Sequence, residues 1–477
     1  MRVIVLIILV GLSATSCKMG KNFEPIEVQI DSVFRFSNDS ILQASNNTAT
    51  IDSNGLRWWE LFQNPQLDSL IETGLKNNKE SQTALKSIEA AELAFKNQKT
   101  EMLPKFDATG GFSHGNFQGF ITPSANTSWY LNGTVNWELD FWGKYRRLNE
   151  ASRAEYVSNQ YAYYNIQLTL INQITTTYFE LVAARRSHEI SVQTLNLRDS
   201  SLAVIQQRFD QGIIPEIDLN QAQIQKSIAQ SAVPVYERQI GLTENLLSIL
   251  IGSNPRAIET AVSQTNLKPV PEIPAGIPSD LLYRRPDVLR AEQMAVAQNA
   301  RIGAAIAARY PAISLTGLLG VGSNALMGVT SGQLGWSVGA GLTAPLFYFG
   351  RNKRRVEIER KKAEQANLQY EQTLLVAFKE VDDALISIQT YRKEMEAREA
   401  HVIAAINAQN LSALRYDKGV TSYLEYLEQQ RQAFDAQLRY VGAKKNLYQA
   451  YIALYKALGG GWLTKKGNSV DHPNSAE

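Results

Sequence analysis

"SWYLNGTVNWELDF", from Ser128 to Phe141, alternates. Its odd positions hold Trp129, Leu131, Val135, Trp137, Leu139 and Phe141, and the even ones Tyr130, Asn132, Thr134, Asn136, Glu138 and Asp140. Successive strand side chains point to opposite faces, so a period of two gives one apolar face and one wet face. A strand of about ten residues with aromatics near its ends fits a transmembrane β-barrel, although a soluble sandwich edge also alternates. "FDATGGF", from Phe106, is a shorter strand candidate just upstream.

The same order of signals returns 207 residues later. Pro104 matches Pro311, Thr109-Gly110 matches Thr316-Gly317, Trp129 matches Trp336, Gly143 matches Gly350, Arg147 matches Arg354 and Arg153 matches Arg360. "ISLTGLLGVG" from Ile313 is the second copy's first strand, and Trp336, Val338, Leu342 and Leu346 carry its second. A unit of this length is a duplicated half-protein, not a solenoid repeat. After Gly143 and Gly350 the grammar becomes helical, with Ile171, Ile174, Tyr178 and Leu181 mirrored by Phe378, Val381, Leu385 and Ile388 at spacings of three and four. That spacing is a coiled-coil-like seam. Each helix should reach roughly 90–100 Å at 1.5 Å per residue, and both are too polar for lipid.

Each long helix stops at a related phrase, "RFDQGIIPEIDLNQAQ" from Arg208 and "RYDKGVTSYLEYLEQQ" from Arg415. Gly212 and Gly419 break the helices, and second helices follow over Leu219–Leu250 and Leu424–Leu458, so each phrase is the turn of a helical hairpin. The halves are joined by a proline-rich stretch from Gly252 to Pro278, which disfavours helix or central strand. The expected organisation is a signal peptide over 1–16, an N-terminal segment over 17–65, repeats over 66–251 and 279–460 around a connector at 252–278, and a tail at 461–477.

The 477 residues carry a net charge of +2, so no global field points to nucleic acid. Arg2, an apolar run from Val3 to Val10 and the small residues before Cys17 read as a secretory signal too short to span a bilayer. Cys17 is the only cysteine and cannot staple the fold. "SATSC" resembles a bacterial lipobox, with Ala14 where Leu is more usual, and this implies lipidation of Cys17; the other reading is a cleaved signal with an incidental cysteine. The histidines at 114, 188, 401 and 472 have no metal-ligand spacing, and no nucleophile elbow or phosphate loop is present, so neither enzyme nor cofactor or metal site is expected. A periplasmic structural protein without a pore would lack the alternating strands.

Four strands per chain cannot close a barrel in lipid, because open edges leave backbone groups unpaired at several kcal/mol each. Several chains must therefore join. "RWWELFQNPQLDSLIETGLKNN" from Arg57 and "LLYRRPDVLRAEQMAVAQNARIGAAIAARYPAISLTG" from Leu281 resemble signature segments of the TolC-like outer-membrane factors, in the lipoprotein branch serving resistance-nodulation-division efflux pumps. The resemblance covers nearly the whole mature chain. It implies a mixed α and β membrane protein: a homotrimer whose transmembrane β-barrel, four strands per chain and twelve in all, continues into a long periplasmic α-helical coiled-coil barrel. It also implies a periplasmic adaptor protein, an inner-membrane pump, and passive export of small molecules; protein secretion through an ATP-driven exporter is the alternative.

Under this resemblance Glu425 and Glu428 occupy the pore constriction, where three copies would gather six carboxylates. The other reading is that both solvate an outer helix face. Asp218 and Tyr416 match a latch between hairpins, with Thr421 where some relatives carry arginine; Asp218 also suits a helix N-cap. The tips Gly212, Ile213 and Ile214 and Gly419, Val420 and Thr421 would meet the adaptor, or the glycines merely end helices. Lys144, Arg146 and Arg147, and Arg351, Lys353, Arg354 and Arg355, sit where barrel would become tunnel. Cations there oppose the helix dipole, so contact with lipid phosphates or plain solvation is expected.

Overall fold

The computed structural model describes residues 18–24, 33–36, 59, 62–117, 121–260, 281–329 and 334–460. The signal region with Cys17, most of the proline-rich connector and the C-terminal tail lie outside the described residues. The elements are α1 (Pro65–Asn77), α2 (Lys79–Thr100), β1 (Lys105–Phe117), β2 (Ile121–Leu139), α3 (Lys144–Asp210), α4 (Glu216–Leu250), α5 (Leu281–Arg284), α6 (Pro286–Ala307), β3 (Ala312–Ser323), a 3-10 turn (Leu326–Val329), β4 (Leu334–Thr343), α7 (Arg351–Asp417) and α8 (Tyr423–Ala457). Helices α3 and α7 both have 67 residues, and α4 and α8 both have 35. Both boundaries of each second-copy helix fall 207 after those of the first. Among the described residues no helix is long and apolar enough to cross a membrane.

Two compact units share these elements. The first contains Met1–Val28, Lys86–Tyr161 and Arg290–Gln372, and the second contains Gln29–Leu85, Ala162–Leu289 and Thr373–Glu477. In the first unit the strands form one antiparallel sheet in the order β1-β2-β3-β4, so that β2 and β3 join the two sequence repeats. Cross-strand partners sort the side chains. Phe106 faces Val135, Phe112 faces Trp129, Leu131 faces Val321, Trp137 faces Leu315, Leu319 faces Trp336 and Ile313 faces Leu342, all on one side. The other side aligns Asp107 with Thr134, Asn136 with Thr316 and Glu138 with Ser314, with Leu318 the exception.

The apolar side is uncovered: Phe106, Trp336 and Val338 are 73%, 74% and 79% exposed. Outer strands β1 and β4 each pair along one edge. Strand β2 has 19 residues, about twice the 9–11 that cross a bilayer, and starts earlier than the alternation alone suggested. Strand β4 stops at Thr343, so Leu346 lies beyond it, contrary to expectation. Pro345 follows, and a residue without a backbone N–H cannot extend the ladder.

Small residues let the helices of the first unit approach closely. Ala151 and Ala154 of α3 pack with Ala297 and Ala300 of α6. In the second unit the expected seam is buried at Ile171, Ile174, Tyr178 and Leu181 and at Val381, Leu385 and Ile388. Phe378 is only half-buried, and Leu374, one turn earlier, is fully covered. Asn64 caps α1 by accepting from the N–H groups of Gln66 and Leu67 and donates to the Tyr178 hydroxyl at 2.8 Å. Arg285 of the "YRRPDV" segment is buried, donating to the Ala457 carbonyl at 3.0 Å and pairing with Asp287 and Glu380 at 2.7 Å each. That motif therefore ties the start of α6 to the end of α8.

Candidate functional site

The two hairpin turns of the second unit are built alike. Gly212 and Gly419 have φ of +72° and +69°, the left-handed conformation that ends a helix at little steric cost only for glycine. Their N–H groups donate to Phe209 and Tyr416, and the next N–H groups, of Ile213 and Val420, donate to Arg208 and Arg415. This double bond pattern is a Schellman motif, written twice. Among the described residues nothing lies within 4 Å of where a Cβ would stand on either glycine. Ile213 and Val420, equivalent in the repeat, are 64% and 66% exposed. Ile214 differs from the other tip residues by packing inward against the cluster of Ile205, Ala222, Tyr423 and Leu427.

Around that cluster Tyr416, Tyr423 and Tyr426 gather, with ring centres 5.3 Å apart for the first two and 5.9 Å for the stacked pair of Tyr416 and Tyr426. Arg208 of the first hairpin donates to the Tyr416 hydroxyl at 2.8 Å and lies over its ring. Burial raises the Tyr416 pKa, partly offset by Arg208, with Asp218 adding to the rise through its charge. Among the described residues no hydrogen bond joins Asp218 to Tyr416. Pro215 rather than Asp218 occupies the N-cap position of α4, which leaves Asp218 in the first turn, where a carboxylate complements the helix dipole.

Glu425 and Glu428 project from the start of α8. Ser422 caps this helix by accepting from the Glu425 N–H, and the Glu425 carboxylate accepts from the Thr421 hydroxyl and, at 3.2 Å, from Arg415. Glu428 pairs with Arg431 at 2.6 Å and accepts from Gln432 at 2.8 Å. These two bonds hold its carboxyl below the usual carboxylate range. Each acid is therefore accompanied by an arginine of its own hairpin.

Sequence reading missed one feature here. Arg198 is 2% exposed, donates to the Gln225 carbonyl at 2.6 Å, and lies 5.2 Å from the centre of the Phe434 ring. Among the described residues its Nε and Nη2 have no hydrogen-bond partner, and neither have the buried Tyr423 hydroxyl and Gln430 amide. Burial lowers the guanidinium pKa to about 10. The signal was in the repeat: Arg198 precedes the buried Ile205 by two helical turns, and its equivalent in the second copy is the buried Ala405.

The strand-to-helix junctions of the first unit differ from one another. Lys144 pairs with Glu138 at 2.9 Å and Arg146 with Asp140 at 3.1 Å, while Asp140 also accepts from the N–H groups of Tyr145 and Arg146. These acids resolve the conflict between cations and the helix dipole. Arg147, expected at lipid headgroups or in solvent, is instead 1% exposed and bound within the protein. In the second copy Pro345 and Phe347 replace Glu138 and Asp140. Arg351, Lys353, Arg354 and Arg355 are exposed there, beside Phe347, Tyr348 and Phe349, which are exposed as well.

The outer membrane efflux protein family profile matches residues 70–253 and 277–460, once per repeat. The chain is similar to the solvent efflux pump outer membrane protein SrpC of Pseudomonas putida, with 32% identity over 408 residues covering 84% of this chain and 87% of the relative. It is 31% identical to the outer membrane protein OprJ of Pseudomonas aeruginosa over 467 residues, 95% of each chain. The crystal structure of the Campylobacter jejuni CmeC outer membrane channel superposes with a TM-score of 0.86 at 25% identity, covering 95% of this chain and 96% of that one.

Proposed function

Because this chain belongs to the outer membrane efflux protein family, we propose that it is the passive exit duct of a tripartite efflux system, carrying small molecules from a periplasmic adaptor and an inner-membrane pump to the exterior. The observation that carries this reading is the sheet. It presents one continuous apolar face and ends on two edges, β1 and β4, each paired on one side only. Such a surface is stable in a bilayer once further copies pair those edges. Three copies give a twelve-strand barrel with the Asn132, Thr134, Asn136 and Glu138 side lining a wet bore, and the two hairpins of each copy form a periplasmic tunnel. The protein is a conduit, not an enzyme.

In this reading Glu425 and Glu428 ring the constriction, and Ile213 and Val420 with Gly212, Gly419 and Thr421 meet the adaptor. Arg351, Lys353, Arg354 and Arg355 reach lipid phosphates from an aromatic collar at Phe347–Phe349. The signal ends at residue 16, Cys17 is lipidated, and repeats over 66–251 and 279–460 flank the connector. SrpC and OprJ, named for a solvent efflux pump and the outer membrane, support efflux across that membrane.

Mass measurement of the detergent-extracted protein is expected to give a three-chain particle, and deletion of the gene is expected to raise susceptibility to detergents, dyes or solvents. A stable single chain with all four strands formed overturns the reading.

A further inference from the structure

Four residues just after Cys17 are gripped in the first unit. The Met19 N–H donates to the Trp142 carbonyl at 3.2 Å, and Arg147 donates to the carbonyls of Met19 at 2.9 Å and Gly20 at 2.6 Å. Glu150 bridges the same guanidinium at 2.9 Å to Lys18 at 2.8 Å, and Asn299 donates to the Lys21 carbonyl at 3.2 Å. Three glycines make room. A Cβ on Gly303 would stand 2.7 Å from the Met19 carbonyl oxygen and 2.8 Å from Arg147, and one on Gly20 would stand 2.7 Å from the Gly303 Cα. One on Gly143 would come within 3.0 Å of the Lys18 Cα. Gly20 itself has a φ of +84°.

The duplication supplies an internal comparison. The second copy of Arg147 is Arg354, which is exposed and donates to the Phe349 carbonyl at 2.8 Å. The first-copy equivalent of Gly303 is Lys96, paired with Glu92 on the surface. Gly143 recurs as Gly350, but neither the burial of the guanidinium nor the glycine at 303 is repeated. A buried arginine satisfied by main-chain carbonyls of a segment more than a hundred residues away is a recognition device for that segment, since helix stability needs neither bond.

We propose that Arg147, Gly303 and Gly143 form a binding site for the chain's own Lys18–Lys21 segment, which fixes the acyl chains of Cys17 beside the point where β2 gives way to α3. The acyl placement rests on the lipidation reading, whereas the docking of the segment does not. Lipid anchor and sheet would then enter the bilayer from one fixed point rather than through a loose tether.

Trypsin tests this on the intact protein extracted from cells fed labelled fatty acid. Cleavage after Lys18 or Lys21 requires Met19 and Gly20 to leave Arg147, so its rate reads the opening of the site. Arg147→Met and Gly303→Val are expected to release the N-terminal peptide at least about tenfold faster than wild type, with Lys96→Met, at the first-copy equivalent of Gly303, unchanged. Gly303→Val retains the guanidinium and decides the matter if Arg147→Met fails to assemble. Equal rates in wild type and Gly303→Val overturn the docking. Absence of label from the wild-type peptide overturns the acyl placement alone.

Discussion

Arg208 donates a 2.8 Å hydrogen bond to the hydroxyl of Tyr416, 208 positions later in the chain, and its guanidinium lies 5.0 Å from the centre of the same ring. Arg415, its equivalent in the second copy, turns instead to Glu425 of its own hairpin. One arginine therefore ties the two hairpins together, and the other does not. Tyr416→Phe removes the hydrogen bond and keeps the ring, for an expected loss of about 1 kcal/mol of hairpin association. Arg208→Ala removes both contacts and is expected to loosen the tip further. Single-channel recordings in planar bilayers should show conductance rising from wild type to Tyr416→Phe to Arg208→Ala; equal conductance in all three would show that this bond does not hold the tip.

The paired state of Glu425 and Glu428 sharpens what neutralising them does. Glu425→Gln with Glu428→Gln removes the carboxylates bonded to Arg415 and Arg431, so selectivity should move from cations toward anions, and block by multivalent cations should weaken. The Glu428 carboxyl is depressed in the folded protein, so its charge and its contribution persist below the ordinary carboxylate range and disappear only as pH falls through the lower, folded value. Wild-type cation preference should accordingly survive mild acid and decline at lower pH. Reversal potentials measured across that range check both points, and unchanged selectivity in the double variant would place these glutamates away from the conduction path.

Arg198 offers a test of opposite sign. A buried guanidinium with two unpartnered groups is unfavourable, and replacing such a charge by an apolar side chain of similar length is often neutral or stabilising. Arg198→Met is expected to raise the thermal midpoint of the extracted protein or leave it unchanged, whereas Phe434→Ala, which opens a cavity beneath the same group, should lower stability by about 3 kcal/mol. A folded pKa depressed to about 10 means that the burial penalty applies at neutral pH and is relieved as pH rises through that value. The advantage of Arg198→Met should therefore be largest near neutrality. A clear loss of stability in Arg198→Met would show that the guanidinium is compensated in the assembled protein.

Repetition and period were legible because each rests on local rules. The 207-residue echo, the alternation from Trp129 to Leu139, the glycine stops at Gly212 and Gly419 and the seam at Ile171–Leu181 need only backbone preferences and side-chain spacing, and the strands and helices follow them, with Phe141 falling in the turn beyond β2. What the echo could not convey was difference in partners. Arg147 and Arg354 read alike, yet one is buried against Met19 and Gly20 and the other is exposed. The first phrase's Arg208 and the second's Arg415 also read alike, and only packing sends them to different partners.

Residue type and spacing along the chain thus determined the order of strands, helices and turns and where the helices stop, because each is decided within a few residues of itself, while the strand ends at Ile121 and Thr343 were not legible. The tertiary structure alone decided that Glu138 and Asp140 take Lys144 and Arg146, that the second cluster stays at the surface beside Pro345 and Phe347, and that an arginine is interred at position 198. Charge is settled by whichever group comes within a few ångströms in space, and the distance between two residues along the sequence does not encode that.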